Sequence, residues 1–341
     1  MESNEIKKLA KEGEFEGENI NGLLVETHIS WVILGQDYAF KIKKPFKLNF
    51  LDYSTLSLRK KFCELELLLN GRFSNIYLDV LPIYQNGGKW NIGKGEGNLR
   101  DYAVRMKRLD GNKRMDQLLE TGKIKDFQIK ELAKEIAQIH QNSPVIETPF
   151  ELSKTKEFFN DIESIDVYLK KKFGNEYNGW IEKGIEWSNE FLEKNEKRFR
   201  ERIKEGYQRD LHGDLHSGNI FLEEKPVIFD CIEFEEKFRQ IDILYELAFL
   251  CMDLESFNEI DRAELFLSTY KSFYNPFKLE KDKELFFYYK CLRANIRAKV
   301  QVLGAVEKGV NQKSGEDKLW NKVKRYLNLL KRYLGEAGID L

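Results

Sequence analysis

The stretch Leu211-His212-Gly213-Asp214-Leu215-His216-Ser217-Gly218-Asn219-Ile220, closed by Val227-Ile228-Phe229-Asp230, gathers the densest knot of ionisable residues in the chain. His212, Asp214 and His216 alternate, and on a strand all three would point one way, as the ligands of a hydrolytic metal do. Yet the spacing is not H-E-x-x-H, the only other histidines are His28 and His140, and Gly213 and Gly218 argue for a loop. A second reading takes Asp214 as a base, Asn219 as a neutral oxygen ligand in the same loop, and Asp230 as a carboxylate ligand past the next turn. Phosphoryl transfer from ATP needs that set. Mg²⁺ is hard and wants oxygen donors, while an acceptor hydroxyl needs a carboxylate to take its proton.

On either side of this loop the chain has a different character. Leu23-Leu24-Val25, Trp31-Val32-Ile33-Leu34 and Tyr38-Ala39-Phe40-Lys41-Ile42, the last two joined by a Gly35-Gln36-Asp37 turn, read as a β-meander. Asp52 or Ser54 can cap a helix that carries Leu58, Phe62, Leu65 and Leu69 at helical spacing and stops near Asn70-Gly71. Ile76 to Tyr84 and Tyr102 to Leu109 are strand-like and bracket a glycine-rich segment. After Asp110-Gly111 long helical periods take over: Gln128 to His140, Trp180 to Glu205, Ile241 to Leu254, Asp261 to Phe273, Leu285 to Leu303 and Leu319 to Leu334. The expected class is α+β. A small β-rich N-terminal lobe with one helix (residues 1–109) precedes a large, mostly helical C-terminal lobe (residues 110–341), and clefts between lobes are common ligand sites.

The 341 residues are 42% hydrophobic and 33% charged, enough apolar material for a sizeable core. Lys and Arg number 56 against 57 Asp and Glu, so no overall field draws the chain to nucleic acid or to an anionic membrane. No apolar run approaches the roughly 18 to 20 residues of a spanning helix. The start, Met1-Glu2-Ser3-Asn4-Glu5, lacks a basic region followed by an apolar run. Cys63, Cys231, Cys251 and Cys291 are scattered and read as reduced core thiols, so the cytoplasm is the expected compartment.

The step from Asp214 to Asn219 matches the protein-kinase catalytic loop H-R-D-x-x-x-x-N, with Gly213 in place of the arginine. H-G-D-L-H-x-x-N followed by apolar-apolar-Asp resembles the aminoglycoside phosphotransferase and choline kinase group, small-molecule kinases with a protein-kinase-like fold. Collinear segments extend the resemblance upstream and downstream: Thr27 to Val32, Tyr38 to Pro45, Phe50-Leu51-Asp52, Glu66 to Asn70, Tyr102 to Leu109 and Arg293 to Val300. They are most similar to a bacterial branch often fused to a P-loop kinase domain. No G-x-x-x-x-G-K-[ST] occurs in these 341 residues.

The resemblance implies a bilobal fold, ATP and Mg²⁺ as cofactors, Asp214 as catalytic base, and Asn219 and Asp230 as metal ligands. A lysine on the third strand of the meander should reach the phosphates; Lys41 sits there, and Lys43, on the same face, is the fallback. The plainer alternative is an exposed strand lysine in the run Lys43, Lys44 and Lys47. Glu66, one turn after Phe62, falls in the inward stripe, where a carboxylate needs a cation; Lys41 is the expected partner. By analogy with the family, main-chain groups around Lys107, Arg108 and Leu109 would meet the adenine. Thr27-His28-Ile29-Ser30 stands where protein kinases place G-x-G-x-x-G, so Ser30 and neighbouring N–H groups would have to serve the phosphates. Asp242 resembles the family's structural aspartate, and an ordinary helix N-cap is the equal alternative.

The acceptor is expected to be a hydroxyl of a small molecule. Asp161, Glu163, Asp166 or Glu235-Glu236 would suit a polycationic aminoglycoside. Arg293 and Arg297, beside a buried stripe of Tyr289, Leu292, Ile296 and Val300, would suit a sugar-like or anionic compound, although salt bridges within a charge-rich lobe explain them equally. A rival is a catalytically silent nucleotide-binding or regulatory module. The missing glycines favour it, and the retained Lys41, Asp214, Asn219 and Asp230 disfavour it. A protein kinase fits less well, because no A-P-E segment follows Asp230.

Overall fold

The computed structural model describes residues 1–48, 51–174, 177, 179–309 and 316–340; Phe50 of the Phe50-Leu51-Asp52 segment lies outside the described residues. Two compact units form. The first holds Met1–Leu118, His212–Asp214 and Gly218–Arg239, and the second holds Leu119–Leu211, Leu215–Ser217 and Gln240–Leu341.

In the first unit, α1 (Ser3–Glu12) precedes β1 (Glu14–Phe15), β2 (Glu18–Asn19), β3 (Leu23–Glu26), β4 (Ser30–Leu34) and β5 (Tyr38–Lys43). The short pair β6 (Lys47–Leu48) and β7 (Leu51–Asp52) leads into α2 (Leu56–Asn70), followed by β8 (Tyr77–Asn86), β9 (Lys89–Ile92) and β10 (Asn98–Lys107). Eight strands form one sheet in the order β2-β1-β9-β8-β10-β5-β4-β3. All its pairings are antiparallel except β1 with β9.

The meander and α2 fall where periodicity put them, whereas α1 comes from the charged segment SNEIKKLAKE, in which only Ile6, Leu9 and Ala10 are buried. That is a short apolar stripe at helical spacing. The sheet buries both faces. Phe40 and Ile42 join Ile6, Leu9, Trp31, Ile33 and Ile83 on one side, while Ala39 joins Cys63, Ile76, Tyr77, Val104 and Met106 on the other. Alternation along β5 therefore turns Lys41 and Lys43 to the Ala39 side, the side α2 covers through β8 and β10.

The second unit is helical: α3 (Met115–Glu120), which begins in the first unit, then α4 (Asp126–Asn142), α5 (Leu152–Asn160), α6 (Asp166–Phe173), α7 (Trp180–Lys204), α8 (Ile243–Ser256), α9 (Ile260–Phe273), α10 (Glu280–Gly309) and α11 (Glu316–Glu336). The α+β class is the expected one. Asp242 caps a helix and holds an arginine. Its Oδ1 accepts the Leu244 N–H at 2.7 Å to cap α8, and its carboxylate takes Arg202 in a fork at 2.7 and 2.8 Å.

The stripe on α10 needs correction. Tyr289 and Leu292 are buried, but Val300 is 39% exposed, and the fully buried line runs Leu285, Tyr288, Cys291, Ala294, Ala298 and Val302. The helix packs against both α8 and α11, so its covered arc is wider and rotated from the one the larger side chains mark. Arg293 lies within that arc, with its guanidinium 3.3 Å from the Phe249 ring centroid. Among the described residues no helix is long and apolar enough to cross a membrane. All four cysteines are free and buried.

Candidate active site

Asn219 and Asp230 stand at the same end of a small hairpin. Ile220 pairs with Ile228 and Phe221 with Val227, and the Phe229 N–H donates to the Asn219 carbonyl at 3.1 Å, so Asp230 follows one residue past the pairing. His212 fixes that end. Its Nε2 donates to the Phe229 carbonyl at 2.9 Å, and its Nδ1 accepts the Asp214 N–H at 3.2 Å, which assigns the neutral Nε2–H tautomer. Both ring nitrogens are engaged, which makes His212 a brace for the loop. Among the described residues no group of three or more His, Cys, Asp or Glu could hold a metal by itself, so the alternating His-Asp-His reading is set aside.

Gly213 belongs in the loop for a steric reason. Its φ is +84°, and a Cβ there would lie 2.5 Å from the Phe238 carbonyl oxygen. The arginine of H-R-D does not fit this backbone. The next residue, Asp214, holds Asn219: the amide Nδ2 donates to the Asp214 carbonyl at 3.0 Å and to its Oδ2 at 3.2 Å. With Nδ2 so used, the amide oxygen of Asn219 is left as an acceptor.

Asp230 has a left-handed backbone, φ 65°, uncommon for a residue with a side chain. Two bonds hold the segment there: the Asp230 N–H donates to the Tyr77 hydroxyl at 2.9 Å, and the Cys231 N–H to Asn70 Oδ1 at 2.8 Å. The Asp230 side chain is 43% exposed and pairs with Lys41.

Behind this pair lies a chain of alternating charges. Lys41 Nζ donates to Glu66 Oε1 at 2.7 Å, and Lys43 Nζ to Glu66 Oε2 at 2.7 Å. Lys43 also bonds Glu233, whose Oε1 accepts the Tyr53 hydroxyl at 2.6 Å. Lys41, Lys43, Glu66 and Glu233 are all buried. Burial alone would strip charge from the lysines, but Asp230, Glu66 and Glu233 hold Lys41 well above the usual lysine range, and Glu233 and Glu66 do the same for Lys43. Glu66 likewise would be raised by burial and is instead held low by Lys41 and Lys43. Burial, then Glu233, push the Tyr53 hydroxyl up, so it stays a donor.

Of the residues singled out in the sequence, the structure thus joins Lys41, Glu66 and Asp230 in one network and Asp214 to Asn219 in another, all in the first unit. Leu109 is half-buried against the Ala39, Ile76 and Met106 cluster, beside the half-buried Val32, Val227 and Phe229. Lys107 carries an exposed side chain, and its N–H is taken by the Ile76 carbonyl at 2.8 Å. Ser30 lies opposite Lys43 in register but is fully buried, and its hydroxyl has no partner among the described residues. The turn before it is closed on itself: the Ser30 N–H donates to Thr27 Oγ1 at 3.0 Å and the Thr27 N–H to the Ser30 carbonyl at 2.9 Å. Glu233, Tyr53 and Tyr77 were not singled out. One signal could have found Glu233: two lysines on one strand face opposite a single Glu66 call for a further carboxylate.

No family model matches the chain. Uncharacterized proteins of Mycobacterium tuberculosis and Mycobacterium bovis are 29% identical over 282 residues, covering 81% of this chain and 54% of each relative. The chain thus spans about half the length of the curated relatives it matches. Among solved structures it is similar to a choline/ethanolamine kinase family protein from Mesorhizobium loti, with 11% identity, 97% of this chain and 100% of that one covered, and a TM-score of 0.49. An ethanolamine kinase from Plasmodium vivax gives 11% identity, 93% and 84% coverage and a TM-score of 0.48.

Proposed function

We propose that the chain is an ATP- and Mg²⁺-dependent phosphotransferase that moves the γ-phosphate to a hydroxyl of a small molecule in the cytoplasm, with no nucleic-acid or membrane partner. One observation carries the reading: a buried lysine, Lys41, bridges a buried Glu66 and a half-exposed Asp230, in the same unit as the Asp214–Asn219 pair. The Asp230 carboxylate and the Asn219 amide oxygen are hard oxygen donors of the kind Mg²⁺ takes together with phosphate oxygens. Bound there, the ion would neutralise charge on the phosphates. Lys41 would bind the phosphate oxygens while Glu66 keeps it aimed. Asp214, oriented by Asn219, would take the proton of the acceptor hydroxyl. The half-buried apolar side chains around Ala39, with Leu109 and Phe229 among them, would supply apolar contacts for adenine.

The acceptor stays at the level of a small hydroxyl compound. Asp161 is paired with Lys299 and Asp166 with Lys170, which weakens the case for a polycation. The silent-module reading keeps one observation in its favour, the self-closed Thr27–Ser30 turn. Purified protein with Mg²⁺ and ATP decides between them: a thermal shift reports binding, and ADP release across a panel of sugars, amino alcohols and aminoglycosides reports transfer. Asp214→Asn should cut turnover about 10²- to 10⁴-fold while Mg²⁺·ATP still binds. Binding without release for every compound favours the silent module, and no binding at all removes both readings.

A further inference from the structure

Lys43, Glu233 and Tyr53 extend the network beyond anything the proposed transfer reaction uses directly. Glu66 gives one oxygen to each lysine, and Lys43 gives its remaining reach to Glu233, three residues past Asp230. The Lys43 side chain is 1% exposed and that of Glu233 3%, so neither meets solvent or ligand. With Lys41 paired to Asp230, the group proposed to bind phosphate and the group proposed to bind metal neutralise each other. Two of the three Lys41 N–H donors go to Glu66 and Asp230, so a triphosphate that takes more than one of them draws Lys41 off Asp230, and at that moment Glu66 is the fixed point of the site.

We propose that Lys43, braced by Glu233 and Tyr53, is a positioning residue that anchors Glu66 from its second oxygen, so that Lys41 can pass from Asp230 to a triphosphate without Glu66 following it. The same anchor ties the loop carrying Asp230 to β5, beside the tethers from Tyr77 and Asn70. The proposal rests on the phosphotransferase reading above and names no new ligand. Lys43 differs from Lys41 in having both of its carboxylates buried, which suits a fixed strut more than a group that changes partners.

The test separates anchoring from simple charge neutralisation. Binding of Mg²⁺·ATP and of adenosine, which lacks phosphates, is measured by calorimetry for wild type, Lys43→Met and Lys43→Met/Glu233→Gln, with melting curves for each. Lys43→Met should melt lower and bind Mg²⁺·ATP on the order of tenfold more weakly, the size of a lost charged hydrogen bond, with adenosine unchanged. In the double variant no unpaired buried Glu233 charge remains, so melting should recover while the tenfold loss of Mg²⁺·ATP persists, because Glu66 still lacks its second donor. Wild-type Mg²⁺·ATP affinity in the double variant, or equal weakening toward adenosine, overturns the proposal. If Lys43→Met is not recovered folded, Lys43→Arg takes its place. It keeps the charge but not the geometry, and an unchanged Mg²⁺·ATP affinity again overturns the anchor. A wild-type chain that binds no Mg²⁺·ATP removes the function itself, and that is seen before any variant is made.

Discussion

Helices α2 and α10 both show an apolar period in the sequence, yet the lines they bury most fully differ: that of α10 is chiefly apolar, with Asp282, Arg293 and Asn295 buried beside it, and that of α2 is chiefly polar. The covered line of α10 is Leu285, Tyr288, Cys291, Ala294, Ala298 and Val302. The fully covered line of α2 begins Arg59, Cys63 and Glu66 and ends at Leu69 and Asn70, while Leu58, Phe62 and Leu65 are only half-buried and Leu68 is 71% exposed. An apolar line packs on any complementary apolar surface, as α10 does on α8 and α11. A polar line is tolerated only where each group meets a partner. Arg59 finds Asp101 at 2.9 Å, Glu66 finds both lysines, and Asn70 Oδ1 finds the Cys231 N–H. Those partners come from β10, β5 and the loop after Phe229, stretches distant in sequence that α2 meets together. Packing along the apolar line of α10 therefore contributes to stability alone, whereas pairing in α2 contributes to both stability and geometry.

The largest expected break is at Glu66. Removing it by Glu66→Ala leaves two buried ammonium groups sharing what remains, at a cost of about 3–5 kcal/mol by denaturant melts and with phosphate-dependent binding lost. The pH dependence sharpens the point. Glu66 is held below the ordinary carboxylate value, so its contribution is complete above the unfolded value, 4.5, and disappears as pH falls toward the folded one, about 2. Lys41 and Lys43 are held above the ordinary lysine value, so theirs persists below about pH 10 and fades only above it. The stability gap between wild type and Glu66→Gln should stay level from pH 5 to 9 and shrink in acid. A gap that is flat down to pH 2.5 would contradict the pairing.

The same contrast explains what was legible beforehand. Periodicity located α2, α10 and the meander, because hydrophobic spacing is local. It marks Leu58, Phe62, Leu65 and Leu69 on α2 and places Glu66 in the inward stripe; Leu69 and Glu66 are buried, whereas Leu58, Phe62 and Leu65 are only half-buried, because the rest of a polar stripe with distant partners leaves no apolar mark. Asp214, Asn219 and Asp230 were conspicuous as a cluster, whereas Glu233 and Tyr53 were not, since each matters through one contact with Lys43 made across long sequence separations. Val300 misled for the reverse reason. It is β-branched and in period, and it faces outward because α8 and α11 cover a different arc of α10.

A smaller effect with a different signature is expected at Leu285, buried on α10. Leu285→Ala should cost about 2–4 kcal/mol through the lost contacts and the cavity left behind. Because no ion pair depends on that side chain, Mg²⁺·ATP affinity of the folded protein should not change. A matching loss of affinity would mean that packing in the helical unit and pairing around Lys41 are coupled after all.

The smallest expected effect tests whether α2 is held by its own ends or by its stripe. Thr55 caps the helix, its Oγ1 accepting the Leu58 N–H at 3.2 Å, a long bond at an exposed position. A cap of this kind contributes about 1 kcal/mol, and Thr55→Ala should lower stability by that much or less. Glu66 and Asn70 each fix a later turn from outside the helix, so loss of the cap should fray the first turn and leave the placement of Glu66 intact. Amide exchange in Thr55→Ala should then quicken at Leu58 and Arg59 and stay slow at Glu66 and beyond. Faster exchange along the whole of α2 would show that the helix depends on its cap, and that the polar stripe follows its position instead of fixing it.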